Sequence, residues 1–107
     1  MTHTQKRKIV VAKQEYEWCI RGDALYAEHA AIYKPNINGT ALHLDILPWD
    51  VEIRPKTISE VVEFALKNSW NPEAKGQPLR IGFTFGQYVI LPKGVANSHE
   101  YEETLNK

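Results

Sequence analysis

From Trp49 to Pro72 the chain reads WDVEIRPKTISEVVEFALKNSWNP, and this stretch limits the possible folds more than any other. Ile58, Val61, Val62, Ala65 and Leu66 recur at spacings of three and four, so they share one face of a 3.6-residue period. Lys56, Glu60, Glu63 and Lys67 fall on the opposite face as two i,i+4 pairs of opposite charge. The spacing predicts a helix over about 55–68 that must bury its apolar stripe. Pro55 suits the first helical position, where the N–H it lacks would be unpaired in any residue. Ile53 then packs on Ile58 as a hydrophobic staple. Thr57-x-x-Glu60 offers a rival start with the spacing of a capping box. Asn68-Ser69 breaks the period, and Pro72 forbids continuation. Trp49 and Trp70 bracket the helix and are expected to pack on whatever it covers.

The rest of the chain alternates with a period of two, the signature of half-buried strands. Ile9 to Ala12 is a candidate edge strand. Tyr16, Trp18 and Ile20 alternate with Glu15, Glu17, Cys19 and Arg21, and Gly22-Asp23 then signals a turn. Leu25 to Tyr33 carries three alanines with helical propensity. Its place between two patterned strands favours a strand instead, and helix stays open as the alternative. Leu42, Leu44 and Ile46 face away from Ala41, His43 and Asp45, and Pro48 ends that strand. Leu79 to Leu91 reads as a hairpin with Gly86-Gln87 near its turn. The short connections suit antiparallel neighbours. The expected fold is therefore α+β: a single antiparallel sheet of about five strands with the main helix packed on one face. The reverse of the sheet would carry Glu17, Cys19, Arg21, His43 and Asp45, open to solvent or to a partner.

A length of 107 residues is read as one domain, with 1–13 as a flexible basic arm and 95–107 as a polar, acidic tail that is disordered or a short frayed helix. Lysine plus arginine equal aspartate plus glutamate at 13 each, so no electrostatic case arises for a nucleic-acid or membrane partner. The lysines and arginine of the arm read as a solvated segment rather than a nucleic-acid patch. Cys19 is the single cysteine, which suits a reducing compartment. No secretory signal or membrane-length apolar run is visible, and the cytoplasm is the default expectation.

Several residues together resemble a known group. Trp18-x-Ile20-Arg21-Gly22, Leu42-His43-Leu44, Ile53-x-Pro55-Lys56-x-Ile58 and Ala65-x4-Trp70-x-Pro72-x3-Gly76-x-Pro78 are similar to motifs of small bacterial proteins without an established activity. The resemblance covers about residues 16–92 and is strongest from Trp49 to Leu79. It implies a compact bacterial α+β domain and no particular chemistry. The group usually has glycine where this chain has Ser69. Glycine suits a left-handed residue after a helix.

Candidate chemistry is sparse. His43 and Asp45, two apart on a strand, point the same way, and a strand over 25–33 would place His29 or Glu28 beside them. With Cys19 they compose a cluster that invites a metal or nucleophile reading. The bland reading is a solvated sheet face. The four histidines lack metal-ligand spacing, and Gly82-x3-Gly86 has no phosphate-loop lysine, so no metal and no cofactor is expected. The aromatic residues, three tryptophans and five tyrosines among them, read first as core and rim, then as a protein-binding patch. The leading expectation is a non-enzymatic module presenting Glu17, Arg21, His43 and Asp45 to a protein partner. A toxin-neutralising (immunity-type) role is its more specific version. The alternative is a small enzyme or a ligand or metal binder using His43, Asp45 and His29. Self-association through an unprotected edge strand stays open.

Overall fold

The computed structural model describes residues 6–23, 27–37, 39–46, 53–95 and 97–105. In chain order it contains β1 (Arg7–Val11), β2 (Gln14–Asp23), β3 (Ala27–Tyr33), β4 (Leu42–Ile46), α1 (Pro55–Lys67), β5 (Leu79–Thr84), β6 (Gln87–Ile90) and α2 (Ser98–Leu105). The six strands form one sheet in sequence order, β1-β2-β3-β4-β5-β6. The class is α+β, as the periodicities predict, with three corrections to the expected sheet. Among the described residues it has six strands rather than five. It is mixed, because β4 and β5 run parallel while every other pair is antiparallel. A second helix closes the chain.

The parallel pair follows from the helix. A strand, a 13-residue helix and a second strand form a crossover, which returns the chain to the sheet edge in its starting direction. Pro55 opens α1, and Ile58 N donates to Arg54 O at 3.1 Å as the first helical bond. Thr57 lies one turn in, where its hydroxyl accepts from Arg54 N at 3.2 Å. Thr57 is thus the reciprocal half of the start and not its cap. Ile53 and Ile58 join the same core cluster, as the staple requires. At the other end Trp70 N donates to Ala65 O at 3.0 Å across Ser69, whose φ is +73°. That is the six-to-one bond of a Schellman ending, with serine in the left-handed position usually held by glycine.

Ile58, Val61, Val62 and Ala65 are buried against one face of the sheet. That face supplies Val11, Tyr16, Trp18, Ala30, Ile32, Leu42, Leu44 and Ile81. Trp70 is buried too: its ring stacks on Tyr16 at 5.8 Å, and its indole N–H donates to Thr40 O at 3.1 Å. Trp49 lies outside the described residues, as does Pro48. Glu60 does not close on Lys56. It accepts from the Tyr88 hydroxyl at 3.0 Å, which ties β6 to the helix. Burial, then donation to Glu60, raises the Tyr88 phenol above its ordinary range.

β3 makes a strand of Ala27–Tyr33 in the ambiguous alanine-rich segment, and Leu25 and Tyr26 lie outside the described residues. Its alanines serve both faces: Ala30 stands opposite Leu44 in the core, and Ala31 stands opposite Cys19 on the reverse. β1 lies within the segment 1–13 expected to be a flexible arm, and Met1 to Gln5 lie outside the described residues. The acidic tail contains α2, which lies against β5. No helix among the described residues is long and apolar enough to cross a membrane.

Candidate functional site

The register puts the sequence-predicted residues on the reverse of the sheet, away from α1. Glu17 stands opposite Tyr33, Cys19 opposite Ala31, and Arg21 opposite His29. His29 stands opposite Asp45, and Ala31 opposite His43. The side chain of Arg21, like that of Glu28, lies outside the described residues. His29 and His43 are diagonal neighbours whose rings stack at 6.4 Å with planes 14° apart. Cys19 is buried at 1% exposure beneath its neighbours, as a small hydrophobe rather than an accessible nucleophile. Among the described residues no three His, Cys, Asp or Glu side chains converge on a point that could hold a metal ion.

Asp45 has a structural task. Its carboxylate accepts from Ser98 N at 2.7 Å, an otherwise unpaired N–H of the first turn of α2. The negative charge also complements the positive end of that helix. Ser98, fully buried, then bridges two strands. Its hydroxyl donates to Asp45 O at 2.9 Å and accepts from Phe83 N at 3.0 Å. So close an approach requires glycine at position 82. A Cβ there would stand 2.7 Å from Ser98 Oγ and 2.8 Å from a Leu91 methyl. Asn97 caps the helix by accepting from Glu100 N at 2.8 Å, and Thr84 donates to Glu102. The reverse face is therefore partly covered: α2 takes the end of β4 and β5 that was expected to be open.

Two features remain for recognition. One is a cleft of about 640 Å³ on the reverse side, between the start of β5 and the chain that leaves β6. Its cationic lining among the described residues is Arg80 and Lys93, with the His43 imidazole beside them. His43 and Arg80 are register partners on the parallel strands. Lys93 sits in a turn closed by Val95 N donating to Pro92 O at 3.0 Å, with Gly94 at φ +90°. That is the geometry of a type II turn, which demands glycine at its third position.

The other feature is the tip of the β5–β6 hairpin. Thr84 pairs with Gln87, leaving a two-residue loop of Phe85 (φ +52°) and Gly86 (φ +76°). Positive φ at both positions defines a type I′ turn, for which Asn-Gly is the favoured pair. Phenylalanine in that backbone is an outlier, and its ring is 74% exposed. Ile90, 37% exposed, lies on the same strand edge. The sequence placed the turn one residue late, at Gly86-Gln87, and so missed Phe85. The available signal was a glycine preceded by an aromatic residue at the midpoint of two alternating runs. Arg80 was visible only as the polar position between Leu79 and Ile81, and Lys93 only as part of Pro-Lys-Gly. Searches against protein-family models, curated proteins and solved structures return no match.

Proposed function

We propose that the chain is a non-catalytic protein-binding module whose contact surface is the tip of the β5–β6 hairpin and the outer edge of β6. Phe85 carries this reading. A bulky side chain in the left-handed region costs about 1–2 kcal/mol. A ring that is 74% exposed returns little of that through burial. Residues that strain the fold without packing into it are first candidates for function. A solvent-exposed aromatic ring is also the commonest kind of interface anchor.

The neighbouring edge supports the same reading. β6 is four residues long and has no strand on its outer side among the described residues, and Tyr88 and Ile90 stand on its α1 side. An extended partner segment can add to that edge through main-chain hydrogen bonds, with Phe85 as the side-chain anchor. The opposite edge, β1, begins Arg7-Lys8, and charges of this kind discourage strand addition. Zero net charge fits a contact made by apolar and backbone groups rather than by long-range steering. In the more specific version the partner is a toxin that the chain neutralises.

The test is a photo-crosslinking amino acid placed at position 85, with the exposed loop residue Lys75 as the control position, in cells that express the chain. The proposal expects one discrete crosslinked protein from position 85 and none from position 75. No crosslink at 85, or equal crosslinking at both positions, refutes it. A product of twice the chain mass would identify the partner as a second copy. Loss of toxin suppression on Phe85→Asn would establish the specific version.

A further inference from the structure

The cleft beside β5 is separate from the hairpin tip, and the charge on its described lining is of one sign. Among the described residues that line it, Arg80 and Lys93 carry permanent positive charge, His43 adds an imidazole, and none is acidic. The rest of its lining is Gln77 and apolar residues, chiefly Leu91 and Val95. Its volume of about 640 Å³ lies within the range of sites for small molecules. The walls are fixed rather than loose. Leu91 is buried, held over Gly82, and its N–H donates to Arg80 O at 2.9 Å, extending the β5–β6 ladder. The type II turn then sets Lys93 on the rim.

We propose that this cleft binds a small organic anion, with a carboxylate or phosphoryl head between Arg80, Lys93 and His43 and an apolar body on Leu91 and Val95. The guanidinium of Arg80 has five N–H donors in a planar fork, so engagement with a neighbour in the protein leaves donors for a ligand. Bidentate contact from arginine suits both head groups, and Lys93 adds a point charge. An uncharged ligand of the same shape keeps the apolar contact and loses the head-group bonds. An inorganic anion keeps those bonds and loses the apolar contact. The preferred ligand therefore has both parts. Binding must weaken with salt, because both cations face solvent.

Amide chemical shifts of the full chain, titrated separately with phenyl phosphate, benzoate, inorganic phosphate and benzyl alcohol, test this. Saturable shifts at His43, Arg80 and residues 93–95 are expected with phenyl phosphate, benzoate or both. The stronger of the two identifies the head group. Inorganic phosphate and benzyl alcohol are each expected to bind at least about tenfold more weakly. Lys93→Gln, in an exposed turn, leaves the fold intact and is expected to lower affinity severalfold. Arg80→Gln is expected to lower it about tenfold or more. The proposal is overturned by absent or non-saturating shifts with both organic anions, by shifts centred elsewhere, or by unchanged affinity in Lys93→Gln. If Arg80→Gln does not fold, the lysine variant decides.

Discussion

Replacing Phe85 with asparagine separates folding from recognition at the one position where they pull apart. Phe85 and Gly86 hold φ values of +52° and +76°, so the loop is type I′ and Asn-Gly is its preferred sequence. Moving from a bulky residue to asparagine recovers most of the roughly 1–2 kcal/mol cost of left-handed backbone. The loss is small. Full burial of a phenylalanine ring is worth about 1.5–3 kcal/mol, and only about a quarter of this one is covered, so roughly 0.5 kcal/mol is forfeited. The expected net gain is about 0.5–1 kcal/mol. For a domain of this size that raises Tm by roughly 2–8 °C, since each kcal/mol shifts it by about 4–8 °C. Thermal unfolding by circular dichroism reads Tm. Urea unfolding should show a higher midpoint with the same slope, the mark of a change in stability alone. A Tm that falls would show that the ring packs on the protein. Phe85 would then be a structural residue, and its claim as an anchor would lapse.

Three further outcomes follow from named contacts. Ser69→Gly should stabilise the chain by about 1 kcal/mol, because Ser69 holds φ +73° at the end of α1; calorimetry showing a lower Tm would contradict this. Ser98→Ala removes one hydroxyl but orphans two buried backbone groups, Phe83 N and Asp45 O, and should cost about 2–4 kcal/mol by urea unfolding. A loss below about 0.5 kcal/mol would mean that α2 does not dock as described. The third outcome concerns alkaline pH. The Tyr88 phenol is raised in the folded state by burial and by Glu60, so its contribution is fully present below the unfolded value of 10.0 and is lost as pH rises above it. Stability should therefore fall above about pH 10, and Tyr88→Phe should show a shallower fall. A residual slope is expected from Tyr16, which burial also raises. Identical slopes in the two proteins would refute the assignment.

The parts of the fold that bury apolar stripes were legible, and the parts held by polar contacts were not. α1 declared itself through Ile58, Val61, Val62 and Ala65 and occupies Pro55–Lys67 against an expected 55–68. β4 followed from Leu42 and Leu44 in the same way. α2 has no comparable stripe. It is held by the Ser98 hydroxyl, the Asp45 carboxylate and a glycine that leaves room for both, and periodicity reports none of these. The parallel β4–β5 pair was missed for another reason. Short connections favour antiparallel neighbours, whereas a helix between two strands reverses direction twice. At the candidate site, the shared face of His29, His43 and Asp45 is legible given a strand over this segment, because side chains alternate strictly along strands. The commitment of Asp45 to α2 was not, because its partner is 53 residues away in sequence. Nor was the cleft, whose cations come from β5 and from a turn that only the completed hairpin brings beside it.

The affinity of the protein captured at position 85, compared between the native chain and Phe85→Asn, tests the central claim most directly. An anchor residue of this kind is worth about 2 kcal/mol or more, a loss of roughly 30-fold or greater. The account predicts that loss in a variant that is more stable than the native chain. Equal affinity in the two chains would contradict it.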